Sequence, residues 1–147
     1  MTHILPATDE AASSRDAAWF LRLVLRVDSV STAVMGVVLI AAAGPLGSAM
    51  GMPVAFSTGF GIYQIGGAAA LALVAGYPAI PAGLAVAVIA VNAASAVACV
   101  VVAFGDMVPL TGFGVAFMLV GALIVTVYAV LEYAGLRRMT GAAARRG

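Results

Sequence analysis

The sequence contains no lysine, one histidine, one cysteine and few charges of either sign: 9% of its 147 residues are charged. Ordinary soluble domains carry about 25% charged residues, so that class is excluded. A disordered polar chain is excluded as well, because 64% of the residues are hydrophobic and such chains are poor in apolar side chains. The lone histidine, His3, rules out a haem held between helices by histidines. It also rules out a His/Cys zinc cluster. Cys99 has no second cysteine to pair with and reads as a small buried hydrophobe. A net charge of +1 leaves no footprint for a nucleic-acid partner. No base is placed to activate a Ser or Thr hydroxyl. Gly59-Phe60-Gly61 and Gly112-Phe113-Gly114 lack the strand-loop-helix setting of a phosphate cradle. The expectation is a chain that is not an enzyme and carries no cofactor and no metal.

What the chain has is long apolar runs. A membrane-spanning helix needs about 20 mostly apolar residues. Four runs qualify: Trp19 to Ala43, Ser57 to Ala75, Ala82 to Phe104 and Gly112 to Tyr133. Each covers roughly 30 Å at the helical rise. None alternates with period two, which excludes barrel strands. Breakers separate them: Gly44-Pro45-Leu46-Gly47, Gly76-Tyr77-Pro78 with Pro81, and Gly105-Asp106 with Pro109. The segment Gly44 to Phe56 is apolar and is expected to lie at the interface or form a short amphipathic turn. Residues 1–17 and 140–147 are expected to be mobile tails flanking one transmembrane domain, 18–139. Ala41-Ala42-Ala43 resembles a signal-peptide cleavage site. The acids Asp9, Glu10, Asp16 and Asp28 ahead of it favour retention as a first span.

All seven basic residues are arginines, and they cluster. Arg15, Arg22 and Arg26 stand at the first run; Arg137, Arg138, Arg145 and Arg146 follow the last. The positive-inside rule then puts both termini in the cytoplasm. The fold expected is an all-α, antiparallel four-helix transmembrane bundle. Arginine as the sole base, with abundant Ala, Gly and Val, points to a GC-rich bacterial genome, hence a multi-pass protein of the bacterial plasma membrane.

Small residues mark where helices approach in lipid. Ala90, Ala94 and Ala98 form one stripe on the third span, and Asn92, Ser95 and Cys99 another, roughly opposite. The fourth span has a heptad-like face through Gly114, Met118, Gly121, Val125, Tyr128, Glu132 and Gly135. On the second, Gly61, Gln64, Ala68, Leu71 and Ala75 share a face; on the first, Ser29, Ala33, Gly36 and Ile40.

An ionisable group at membrane depth is a functional hypothesis by default. Asp28 has no well-placed arginine on its own helix, while Ser31 and Thr32 are within reach. It lies about 10 Å from the cytoplasmic end of the first span. Asn92, Tyr128 and Glu132 are at similar estimated depth, so Asp28, Asn92, Tyr128 and Glu132 are expected to form one polar cluster in the inner half of the bilayer. Glu132 has Arg22 or Arg26 as a second possible partner. Asp28 is either a proton-titrating or cation-binding carboxylate, or interhelical hydrogen-bonding glue together with Asn92 and Gln64.

Leu25-Arg26-Val27-Asp28, Gly36, Ala43-Gly44-Pro45-Leu46, Gly51-Met52-Pro53, Gly59 and Gly61, Val91-Asn92-Ala93 and Gly135-Leu136-Arg137-Arg138 together resemble small bacterial integral membrane proteins to which no activity is assigned. The resemblance covers residues 20–138 and implies four membrane helices. Where those proteins carry a large residue after the Asn, this chain has Ala94 and Ser95. Small multidrug transporters are similar in outline only; their signature carboxylate is a Glu in the first helix.

The functional expectation is a structural or accessory membrane protein. Its partners are the lipid bilayer and either a second copy or other membrane-protein subunits, met through Ala90, Ala94 and Ala98 or through Gly114 and Gly121. The alternative is a small homo-oligomeric proton- or cation-coupled transporter using Asp28. A third possibility, a lipid- or quinone-binding module, requires a cleft between helices.

Overall fold

A computed structural model describes residues 7–144. The described residues form five helices and no strand. They are α1 (Ala7–Ala41), α2 (Ala43–Met50), α3 (Val54–Gly76), α4 (Ala82–Phe104) and α5 (Gly112–Ala144). Four of them, all except the eight-residue α2, are long and apolar enough to cross a membrane. Large apolar side chains such as Trp19, Leu73, Val97, Phe104 and Leu123 face outward. Soluble monomers rarely expose contiguous apolar surface on this scale, so the architecture is that of a multi-pass membrane protein.

Two boundaries differ from the sequence expectation. The segment after the first span is a helix, α2, not a turn. Pro45 falls in its first turn, where a missing N–H removes nothing because those donors have no helical acceptor. Gly51 then ends α2 at φ 74°, a left-handed conformation that glycine adopts without a Cβ clash. The last carbonyls of α2 are satisfied by the entry of α5: Thr111 N–H donates to Met50 O at 2.9 Å and Thr111 Oγ1 to Ala49 O at 2.8 Å. The helices also run past the apolar spans. α1 starts at Ala7 and α5 continues to Ala144, so most of the expected tails is helical. Alanine-rich sequence propagates a helix after hydropathy has fallen. Residues 1–6 and 145–147 lie outside the described residues.

The helices pack as a chain of pairs. α3 lies on α1, α1 on α5, and α5 on α4, whereas α3 and α4 scarcely touch. The α1–α3 seam is tight. A Cβ built on Gly61 falls 2.6 Å from Gly36 O, and one on Gly36 falls 2.8 Å from Gly61 O. Two hydroxyls strap the same seam, Ser29 Oγ to Ala68 O at 2.8 Å and Ser57 Oγ to Leu39 O at 2.9 Å. Two apolar cores form. One gathers Leu21, Leu25, Leu71, Val74, Ala85 and Leu136; the other joins α2 to α4 and α5 through Met50, Met52, Cys99, Ala103, Met118 and Ala122. On α4 and α5 the buried polar residues Asn92 and Glu132 occur between these cores, and on α1 Asp28 and Ser29 follow the first core.

Candidate functional site

Asp28, Asn92 and Glu132, from three different helices, meet in the interior. Asp28 and Glu132 are each 1% exposed. The single Asn92 amide nitrogen, Nδ2, donates to Asp28 Oδ2 at 2.9 Å and to Glu132 Oε2 at 3.1 Å. A carboxamide nitrogen carries two hydrogens, and here each goes to a different carboxylate. Asp28 Oδ1 accepts a further bond from Thr32 Oγ1, one helical turn on, at 2.9 Å. Glu132 Oε1 is buried with no hydrogen-bond partner. Among the described residues no third Asp, Glu, His or Cys joins the pair.

The depth of this cluster follows from α4, whose ends are set by Pro81 and Gly105. At the helical rise, Asn92 is about 15 Å from Ala82 and about 18 Å from Phe104. Asp28 and Glu132 share its level because they bond to it. The cluster is therefore close to the middle of α4, slightly nearer its Ala82 end, and an uncompensated charge at such a depth in a membrane-spanning helix is unfavourable.

Tyr128 is one turn from Glu132 but does not bond the triad; its hydroxyl pairs with Ser31 Oγ at 2.9 Å. Ser31 in turn reaches only the backbone oxygen of Asp28, at 3.0 Å, leaving the carboxylate to Thr32. The arginine partner considered for Glu132 is otherwise engaged. Arg22 Nη2 donates to Tyr77 O at 2.7 Å and Pro78 O at 3.0 Å, holding the turn that follows α3. Arg26 is exposed. Arg138 stacks over Phe20 at 5.0 Å and Arg137 over Tyr133 at 5.9 Å.

The two alanine and glycine surfaces part company. Ala90, Ala94 and Ala98 are all exposed on the outer side of α4. Gly114 is used inside the chain, buried against the Met50 backbone oxygen. Gly121 has open space where a Cβ would stand and faces a cleft. That cleft, of about 500 Å³, occupies the gap between α3 and α4 with α1 and α5 behind it. Its walls are mainly apolar, among them Leu71, Val88, Phe117 and Val125, with Ser31, Thr32, Tyr63, Gln64, Asn92 and Ser95 as polar insets. Gln64 Oε1 is buried without a partner. A hydrogen bond between Tyr63 Oη and Ser95 Oγ, 2.7 Å, bridges α3 to α4. The face pattern of the second and third spans marked Gln64, Asn92, Ser95 and Cys99 as inward, but nothing in it signalled that the helices stand apart. Comparison with known families, curated proteins and solved structures gives no match to this chain.

Proposed function

We propose that the chain is a small multi-pass protein of the bacterial plasma membrane that binds a proton or a monovalent cation at Asp28 and Glu132 and couples that binding to transport. The observation that carries the reading is one amide nitrogen shared by two buried carboxylates, with Glu132 Oε1 left unbonded. Hydrogen-bonding glue needs a carboxylate and an amide. It gains nothing from a second acid on the same donor, whose burial is unfavourable. A site that takes up and releases one positive charge has use for both. Transport on this reading is through an antiparallel bundle with both termini cytoplasmic. The arginine clusters support that topology. So do the contacts that put Arg22 beside the α3–α4 turn and Arg138 beside Phe20, at one end of the bundle.

The test is flux. Proteoliposomes filled with a pH-sensitive dye are exposed to sodium or potassium gradients. Wild type is expected to give a protein-dependent pH change that disappears in Asp28→Asn and in Glu132→Gln. No response from wild type, or an unchanged response in both variants, removes the reading.

A structural or accessory role remains a second reading, favoured by one observation. Ala90, Ala94 and Ala98 present a small-residue stripe with spacing four to the outside, where another helix can approach closely. A stoichiometric membrane partner after purification in mild detergent would support it; a chain that elutes alone would not.

A further inference from the structure

We infer that the cleft between α3 and α4 binds a long-chain alkylammonium, a single apolar chain carrying one protonated amine. The inference rests on the cation-binding reading above and names its substrate class. Shape comes first. The lining runs from Phe60 to Val74 on α3 and from Leu84 to Cys99 on α4, roughly 20 Å along each axis, so the cleft is elongated and suits a chain rather than a compact ring system. The walls that a chain would touch are Leu71, Val88, Phe117 and Val125.

The polar insets then select the head group. Gln64 Oε1 is an acceptor without a donor, so it calls for a ligand that donates. Thr32 and Asn92 line the cleft and both bond the Asp28 carboxylate, and Asn92 bonds Glu132 as well. Negative charge therefore lies directly behind that wall. Among the described residues no arginine lines the cleft, and Arg22 is held on the carbonyls of Tyr77 and Pro78. An anionic head group would be repelled and a neutral one would leave the acids uncompensated, whereas an ammonium satisfies both the charge and the acceptor. Entry is lateral, through the gap bridged by the Tyr63–Ser95 hydrogen bond, from the bilayer in which an amphiphile concentrates.

The experiment uses wild-type protein in lipid nanodiscs and scintillation-proximity detection of tritiated decylammonium. Binding is expected to saturate and to be displaced by unlabelled decylammonium, with decanol and decanoate at least about tenfold weaker as competitors. Gly121→Phe and Gly67→Phe each build a ring into the cleft from a position where a Cβ meets nothing. Whichever of them elutes as wild type with unchanged helix content should bind at least about tenfold more weakly. Decanol competing as well as decylammonium would reduce the cleft to a groove for any chain and overturn the inference. Undiminished binding in both folded phenylalanine variants would do the same. A wild type that passes the sodium and potassium flux test yet does not hold decylammonium overturns the substrate class alone. Failure in both assays overturns the cation-binding reading with it.

Discussion

Replacing Asp28 by Asn is expected to stabilise the bundle in alkaline, cation-poor buffer while disabling its site. The two acceptor oxygens are 2.9 Å and 3.1 Å from one nitrogen. Amide hydrogens diverge by about 120°, which sets the oxygens roughly 5 Å apart. Two unit charges at that distance repel by about 3 kcal/mol at an effective dielectric constant of ~20. The substitution removes this repulsion and weakens an interhelical hydrogen bond, which in membrane proteins averages about 0.6 kcal/mol. The net gain is about 2 kcal/mol, and Glu132→Gln should gain about the same. The double variant can remove the repulsion only once. It should be no more stable than either single variant, and the double-mutant cycle should return a coupling of about 3 kcal/mol. Equilibrium unfolding in mixed detergent micelles, followed by far-UV circular dichroism, measures all four corners. In acidic buffer a proton does what the substitution does, so the gain should shrink. Single effects that add within about 0.5 kcal/mol would show that the acids do not feel each other. Destabilisation by both singles in alkaline buffer would return Asp28 and Glu132 to the role of glue.

The same unfolding assay checks the α1–α3 seam. Gly61→Ala puts a methyl group 2.6 Å from Gly36 O and 2.7 Å from Ile40 Cγ1 and should destabilise by about 1–3 kcal/mol; Gly66→Ala, where nothing lies within 4 Å, should be neutral or slightly stabilising. Arg22→Ala removes two charge-assisted bonds to the α3–α4 turn; because the group is partly solvated the loss should be about 1 kcal/mol, and Arg22→Lys should restore only part of it, since an ammonium lacks the planar fork. In a Cys99→Ala background, Ala94→Cys should form an intermolecular disulfide under oxidation if the alanine stripe joins two copies, whereas a monomeric elution with no cross-link would clear α4 of that role.

Much of the fold was legible because lipid imposes simple demands. The span Ala82 to Phe104 is matched by α4 residue for residue, since Pro81 and Gly105 are breakers that no tertiary contact can override cheaply. The inward faces were legible for the same reason: Gly61, Ala68, Leu71 and Ala75 on α3 are all buried, because only small or interdigitating residues let two backbones meet. α2 was missed because Gly44-Pro45 reads as punctuation, yet a proline one turn into a helix starts one as readily as it ends one. The meeting of Asp28 with Asn92 and Glu132 could be argued from depth alone. The partner left out was equally a matter of depth: an arginine near the interface can turn its guanidinium back toward water, and Arg22 does so onto Tyr77 and Pro78. The cleft is an absence of contact between α3 and α4, and side-chain size reports only which faces are able to approach.

The packing order makes the triad a junction. Gly36, Gly61, Ser29 and Ser57 hold α1 to α3 with backbone-close contacts, and α4 lies along α5. The two pairs meet along α1–α5, and that seam is where Asp28 of one pair faces Asn92 and Glu132 of the other. Asn92 belongs to the seam and to the cleft wall at once. Its side chain cannot turn from the acids without altering the surface that the cleft presents. Conversely, a ligand that draws the Asn92 amide into the cleft deprives both carboxylates of their shared donor. Charge compensation on the acids and occupancy of the cleft are in this way opposed or allied through one carboxamide.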